Sequence, residues 1–304
     1  MTICFFTEMQ FAGKISRSFK NMRTEFAWMC ALNADHCNIN QIPKEKYDLG
    51  IVITPKNNPH LVSIEMIKRY CNKVAIMQEG PFWFFQDYDL PNQIGYYNNL
   101  VSSDVIFVHN ENDKIYYQGI TNHTDVRVLK SLMIDEDLKE YDGEKTGVMI
   151  GGNLVSWYGG FDSFMIASSV TDEVYSPKMG RSNKDEHLLG INQLPYLEWK
   201  DWIYELSKRK IGVHMMRTHA AGTFALNCSY LGIPCIGYEN LDTQRILHPN
   251  LTVKDGDVKT AKRLIELLWN DESFYTENSI LTKSLYLENY SEEIWKKTFY
   301  DGFK

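Results

Sequence analysis

One segment of the chain combines a turn, a glycine and a basic side chain in an order that suits a bound phosphate. It runs from Lys210 to Glu239 and reads KIGVHMMRTHAAGTFALNCSYLGIPCIGYE. This pattern predicts an apolar strand, a turn that contains Arg217, His219 and Gly222, a helix, and a second apolar strand. The start of a helix presents free backbone N–H groups and a positive dipole end, and an arginine adds a bidentate contact. We therefore predict an anion site at this turn.

The same segment resembles the donor-binding half of GT-B glycosyltransferases. The usual family pattern is E-x7-E within E-G-F-G-x4-E-A-x3-G-x-P, and Gly232–Pro234 matches its last positions. In this register Gly222 falls on the family's glycine, while His219 and Asn227 fall on its two glutamates. The resemblance implies a nucleotide-diphosphate sugar as donor, with Asn227 as a neutral hydrogen-bonding group near the ribose.

Further donor contacts follow from the resemblance. The segment IGGNLVSWYGGFDSF (150–164) stands where the family commonly has an arginine and a Lys-Gly pair, but it contains no basic residue. The charge of the diphosphate is therefore expected to fall to Arg217, with Lys178 and Arg181 as helpers, and Thr223 adds donors at the helix start. The expected donor-binding set is Asn153, Lys178, Arg181, Arg217, His219, Gly222, Thr223, Asn227 and Glu239.

On the expected acceptor side, four basic residues recur at every third position. They are Lys14, Arg17, Lys20 and Arg23, and no acidic residue interrupts them. If the segment is helical, these side chains form a basic stripe that suits nucleic-acid phosphates. An ordinary solvated helix face is the alternative.

A second acceptor-side feature is the aromatic loop QEGPFWFFQDYDLP (78–91), which has five aromatic residues in seven. Proline and acidic residues mark it as a loop, and exposed aromatic rings commonly stack on sugars or bases. We expect Phe82, Trp83 and Phe84 to bind the acceptor.

Four residues are candidates for catalysis. Glu79, Asp87 and His109 are candidate general bases for an acceptor hydroxyl, and Arg217 would assist the departing diphosphate. For His109 the alternative is a hydrogen-bonded structural role. The sequence has no DxD, HExxH or CxxC spacing. GT-B enzymes generally work without metal, so the resemblance implies metal-independent hexosyl or pentosyl transfer and no cofactor besides the sugar nucleotide.

Composition bounds the partners and the location. The chain has 304 residues, 44% of them hydrophobic, and a net charge of −7, so nothing attracts it as a whole to DNA or an anionic membrane. Its six cysteines show no pairing pattern, and its N-terminus lacks the features of a signal peptide. No apolar stretch is long enough to span a bilayer. We expect a cytoplasmic protein without a membrane partner, in the host cytoplasm if phage-encoded.

Alternating strands and helices predict an α/β fold with two Rossmann-like domains that face each other across a cleft. The expected divisions are 1–133 for the acceptor, 134–145 for a linker, 146–285 for the nucleotide sugar, and 286–304 for a helix that packs back on the first domain. Predicted strands are 3–7, 49–54, 73–78, 104–109, 125–130, 146–152, 172–177, 211–216, 234–238 and 251–255. Predicted helices are 16–33, 60–71, 92–101, 111–119, 159–169, 197–208 and 222–231, with a helical C-terminus.

Two segments, NMRTEFAWMCAL and MQEGPFWFFQDY, resemble those of small phage-encoded glycosyltransferases. Some such enzymes attach sugars to hydroxymethylated pyrimidines in DNA. The resemblance implies this acceptor, with DNA as a partner whose flipped base meets the aromatic loop. A glycan or lipid-linked acceptor and a sugar-nucleotide epimerase of the same fold stay open as alternatives. The missing signal peptide and the unpaired cysteines disfavour a periplasmic binding protein.

Overall fold

The computed structural model describes residues 1–55, 62–78, 80–122, 125–152, 154–178 and 184–303. Within these residues twelve strands form two six-stranded sheets, and every pair of neighbouring strands is parallel. Parallel sheets need both faces covered, which explains why most of the strands are apolar throughout. In the first strand, for example, all five residues are buried.

The first sheet has the strand order β2-β1-β3-β4-β5-β6. Its strands are β1 (Ile3–Thr7), β2 (Asp35–Asn38), β3 (Tyr47–Thr54), β4 (Cys71–Gln78), β5 (Val105–Val108) and β6 (Val126–Val128). Helices of this half are α1 (Glu25–Ala31), α2 (Ile64–Ile67), α3 (Leu90–Ser102) and α4 (Glu111–Thr121), with a 3-10 helix over Phe82–Asp87.

The second sheet has the order β12-β11-β10-β7-β8-β9. Its strands are β7 (Thr146–Ile150), β8 (Val174–Pro177), β9 (Asn192–Leu194), β10 (Arg209–His214), β11 (Cys235–Tyr238) and β12 (Thr252–Val253). Its helices are α5 (Gly160–Ala167), α6 (Trp199–Ser207), α7 (Thr223–Tyr230), α8 (Asp242–Leu247), α9 (Val258–Asn270) and α10 (Glu272–Asn289), followed by α11 (Glu292–Asp301). Short 3-10 helices cover Ser156–Tyr158, Glu186–Leu189 and Pro249–Leu251.

The last helix returns to the first sheet, as predicted. Trp295 donates from Nε1 to the carbonyl oxygen of Lys130 over 2.8 Å, and the ring of Phe299 lies 6.2 Å from that of Phe107. Trp295 and Phe299 are both buried, so an apolar face of α11 packs against the first domain. The precise limits proposed for the domains stay a prediction, although residues 132–134, at the predicted start of the linker, are fully buried.

The structure differs from the predicted elements at three places. The helix predicted over 16–33 begins only at Glu25, because the preceding residues bond to the other domain: the carbonyl of Lys20 accepts from the Trp199 N–H over 2.9 Å. Strands β2 and β9 were not predicted. Their sequences, DHCN and NQL, are short and polar, and each lies at a sheet edge.

A candidate ligand site between the two domains

A cavity of about 400 Å³ opens between the two domains. His109 follows β5 and Gly151 follows β7, while Pro177 and His214 are the last residues of β8 and β10; all four line the cavity. The cavity therefore lies at the carboxyl ends of strands from both sheets, where ligands bind in open α/β folds.

The start of α7 forms part of the cavity wall. Gly222 caps the helix with φ of +68°, and a Cβ built on it would lie 2.0 Å from Thr243 Oγ1. This hydroxyl donates to the Gly222 carbonyl over 3.0 Å, which fixes the turn. The first N–H groups of a helix have no partner within it. Because Gly222 and Thr223 line the cavity, this helix start is available to an anion there.

The remaining predicted donor residues of this segment are divided. Asn227 lines the cavity, is 4% exposed, and accepts at Oδ1 from Trp202 Nε1 over 3.0 Å. His219 does not line the cavity, and burial lowers its pKa, so the ring is neutral at pH 7. Glu239 is exposed and does not line the cavity.

Arg217 forms an ion pair instead of facing the cavity. Its Nη2 donates to Asp162 Oδ2 over 2.7 Å, its side chain is 51% exposed, and it does not line the cavity. The same carboxylate oxygen accepts from the hydroxyl of Tyr238 over 3.2 Å, and pairing with Asp162 raises the pKa of Arg217. Lys178 is exposed beside the cavity-lining Pro177. Asn153 and Arg181 lie outside the described residues.

A different cation faces the cavity. Of the described residues that line it, Arg23 alone carries a permanent positive charge. Its Nη2 donates to the carbonyl of Leu197 over 3.0 Å, and its guanidinium carbon lies 5.7 Å from the ring centre of Tyr196. Burial lowers its pKa, and the interaction with Tyr196 opposes this shift in part. In the part of the chain that the structure describes, no carboxylate pairs with this half-buried arginine, and such a cation favours an anionic ligand.

The predicted helical basic stripe is wrong. Residues 16–24 are not helical, and Arg17 pairs with Glu136 and with Glu292 Oε2, the latter over 2.6 Å. Lys20 Nζ lies 2.9 Å from Glu198 Oε1. These charges are engaged within the protein, whereas Lys14 is simply exposed. Of the four basic residues, only Arg23 lines the cavity.

The aromatic loop forms a 3-10 helix at the domain interface. Phe84 lines the cavity, as expected of a ligand contact. Trp83 instead lies edge-on to Trp157 with ring centres 6.1 Å apart, and the ring of Phe82 packs 4.4 Å from that of Tyr116. These two rings pack within the protein.

Two buried histidines line the cavity from opposite domains. Burial lowers the pKa of His109 and of His214 to about 4, so both rings are neutral at pH 7. Among the described residues, Nδ1 of His109 and both ring nitrogens of His214 have no hydrogen-bond partner. The His109 ring stacks on Trp28 at 5.7 Å, and the His214 ring meets Phe224 at 5.4 Å. Unsatisfied buried nitrogens at a cavity wall are candidate ligand contacts.

Of the two candidate general bases that the structure describes, His109 lines the cavity. Asp87 is exposed and does not line it, and Glu79 lies outside the described residues. His214 was missed from the sequence. Its signal was a polar residue inside the apolar run IGVHMM.

Two further searches apply to the described residues alone. Among them, no group of three or more His, Cys, Asp or Glu side chains is arranged to hold a metal ion. None of the helices in the described ranges combines the length and the apolar character needed to cross a bilayer.

Comparison with known proteins gives structural matches alone, because no family model and no curated sequence matches the chain. Sucrose-phosphate synthase from Thermosynechococcus elongatus has a TM-score of 0.72 at 10% identity, covering 100% of this chain and 98% of that one. HepE from Anabaena in complex with UDP and glucose has a TM-score of 0.72 at 9% identity, covering 100% and 99%. TarM from S. aureus, in complex with fondaparinux, alpha-GlcNAc-glycerol and UDP, has a TM-score of 0.65 at 12% identity, covering 84% and 55%. Two parallel sheets facing across a cleft, together with these matches, show that the chain has the GT-B fold.

Proposed function

We propose that the protein is a glycosyltransferase that moves a sugar from a nucleotide-diphosphate sugar, with a UDP-sugar as the first candidate, to an acceptor hydroxyl. The observation that carries the proposal is the cavity between the domains, where the start of α7 meets the ends of β7 and β10. Its volume of about 400 Å³ lies in the range typical of small-molecule sites. HepE has been solved in complex with UDP-glucose and in complex with UDP, which supports UDP as the nucleotide.

We place the diphosphate at the start of α7. In the reaction the bond between the sugar and the diphosphate breaks, a bond to the acceptor oxygen forms, and the acceptor proton passes to a base. Negative charge grows on the diphosphate, and backbone N–H groups at Gly222 and Thr223 stabilise it. Arg23 supplies positive charge from the opposite domain, whereas Arg217, bound to Asp162, acts from the periphery.

His109 is our candidate for the contact to the reacting sugar or acceptor. As a neutral imidazole it donates one hydrogen bond and accepts another, which suits a hydroxyl group. The same state lets it take a proton as a general base. Glu79 and Asp87 stay predictions for this role.

The identity of the acceptor is a separate question from that of the donor. A hydroxymethylated pyrimidine in phage DNA stays a prediction, and two of the basic residues expected to hold its phosphates, Arg17 and Lys20, are engaged in ion pairs. A glycan or lipid-linked acceptor is the alternative. Metal independence and a cytoplasmic location also stay predictions.

Calorimetric titration tests the donor assignment. The panel is UDP-glucose, UDP-N-acetylglucosamine, GDP-mannose and dTDP-glucose, with Gly222→Val as the variant that blocks the start of α7. The matched control is Arg263→Ala, since this arginine is exposed on α9. We expect one sugar nucleotide to bind the wild type and the control and to lose affinity for Gly222→Val. No binding of any of the four would sink the proposal.

Product analysis tests the acceptor and the rival reaction. Mass spectrometry of DNA from cells that co-express the protein and a cytosine hydroxymethylase shows a mass gain if DNA is the acceptor. Conversion of UDP-N-acetylglucosamine alone into an isomer would instead identify an epimerase.

A further inference from the structure

The turn between β10 and α7 is held in part by side chains of the other domain. Trp83, on the 3-10 helix of the first domain, donates from Nε1 to Thr218 Oγ1 over 2.8 Å. The side-chain amide nitrogen of Asn112, on α4, lies 3.1 Å from Nε2 of His219. These contacts therefore fix two successive residues of the turn from across the cleft.

A third contact completes the set. The hydroxyl of Ser131, in the segment after β6, donates to the carbonyl of Ala221. Beside it, the backbone N–H of Glu111 at the start of α4 donates to Asp242 Oδ2 over 3.2 Å. The three side chains come from three separate segments of the first domain, and all reach residues 218–221.

The ends of the turn are fixed differently from its middle. The N–H of Arg217 donates to the carbonyl of Trp157 over 3.1 Å, and Thr243 Oγ1 donates to the Gly222 carbonyl over 3.0 Å. Both of these contacts lie within the second domain. The middle of the turn, which contains the cavity-lining Ala220 and Ala221, instead receives its side-chain support from the first domain.

The contact at His219 also sets the state of the ring. With the Asn112 amide nitrogen as donor, Nε2 is the acceptor and the proton of the neutral ring lies on Nδ1. Burial lowers the pKa of His219, which agrees with a neutral acceptor. The ring of Phe82 stacks 6.2 Å from it, so the first domain supports this ring twice.

We propose that Trp83, Asn112 and Ser131 are positioning residues that give the ligand-binding turn its geometry when the two domains are together. The proposal rests on the glycosyltransferase function above and concerns the same site. Separation of the domains removes all three partners at once. A ligand that binds the braced turn more tightly than the free turn therefore favours the closed arrangement by the same factor.

The pair Trp83 and Thr218 allows a double-mutant cycle. Trp83→Phe removes the indole N–H but keeps an aromatic ring near Trp157, and Thr218→Val removes the acceptor at nearly constant volume. We expect each change to weaken UDP binding about fivefold, the scale of one neutral hydrogen bond, and the double variant to be no weaker than either single variant. Calorimetric titration with UDP gives the three affinities.

Hydrogen exchange gives a readout that does not depend on the ligand. The amides of residues 218–221 are expected to exchange faster in Trp83→Phe and in Asn112→Ala than in the wild type. Asn270→Ala is the matched control, because the exposed Asn270 side chain donates to the Glu266 carbonyl of its own helix and lies far along the chain from the turn. A lower melting temperature alone does not count, since any structural residue can cause it.

Four outcomes decide the proposal. Additive effects in the cycle, or variants that bind UDP like the wild type, would overturn it. Unchanged exchange at 218–221 in both variants would overturn it as well. If the wild type binds no UDP but the variants still speed exchange in the turn, the assigned nucleotide fails while the brace itself stands.

Discussion

Replacement of Gly222 by alanine should damage the start of α7 in a way that the structure allows us to estimate. At φ of +68° a residue with a Cβ pays roughly 1–2 kcal/mol for the left-handed backbone. The new Cβ would also lie 2.0 Å from Thr243 Oγ1, so the threonine must move. Its hydrogen bond to the Gly222 carbonyl is then lost, at a cost of about 1 kcal/mol.

These two costs add to about 2–3 kcal/mol, which corresponds to a fall in melting temperature of about 5–10 °C for a domain of this size. A second background separates them. In Thr243→Ala the overlap and the hydrogen bond are already gone, so Gly222→Ala should cost only the backbone part, about 1–2 kcal/mol. Scanning calorimetry of the four proteins measures both steps.

The binding readout is independent of the melting temperature. Because the carbonyl and the first N–H groups of α7 share this turn, Gly222→Ala should weaken UDP binding, and Thr243→Ala should do so less. A Gly222→Ala protein that melts within about 1 °C of the wild type would refute the reasoning. So would equal losses of stability in the two backgrounds, because the overlap with Thr243 would then have no energetic effect.

Three other changes probe the cavity. His109→Phe keeps the stack on Trp28 but removes the ring nitrogens. We expect UDP to be released from the sugar nucleotide about 100-fold more slowly, with an unchanged melting temperature. An unchanged rate would exclude His109 from the chemistry. His214→Phe should unfold less readily in acid than the wild type. The imidazole has a pKa of about 4 in the folded protein and about 6.5 in the unfolded chain, so the wild type loses up to about 3 kcal/mol of folding stability as the pH falls from 6.5 to 4. An acid titration followed by circular dichroism shows whether the variant avoids this loss. Arg23→Met should weaken UDP binding at least tenfold and flatten its salt dependence relative to the Arg263→Ala control, and wild-type affinity would place the anion elsewhere.

The order of strands and helices could be predicted because parallel, doubly covered strands are apolar throughout. Tyr47–Thr54 and Cys71–Gln78 were recognisable from such runs, and the structure extends both by two residues at their starts. The edge strand β2 could not be recognised, because an edge has one neighbour and tolerates the polar sequence DHCN. The conformation of residues 16–24 could not be predicted from local sequence patterns, because contacts with the other domain hold the backbone there.

The parts of the candidate site that depend on local backbone geometry could be predicted from the sequence. The parts that depend on side-chain partners far away in the chain could not. A glycine before a predicted helix indicated the turn at Gly222, and the structure has a turn there with Gly222 in the left-handed backbone region. The orientation of Arg217 depends on Asp162, which lies 55 positions away in the chain. Arg23 was assigned to DNA phosphates on its spacing, whereas its position in the cavity follows from Leu197 and Tyr196 of the second domain.

This chain departs from the family pattern at both acidic and basic positions, and the two sets of changes offset each other in charge. Where the resembling family has two glutamates, this chain has His219 and Asn227, both neutral at pH 7. Where the family commonly has basic residues, the segment 150–164 has none, and its Asp162 binds the one arginine of the turn. Loss of the carboxylates alone would leave excess positive charge, and loss of the cations alone would repel a diphosphate. Loss of both keeps the local balance, which agrees with our proposal that a smaller set, the start of α7 and Arg23, holds the diphosphate.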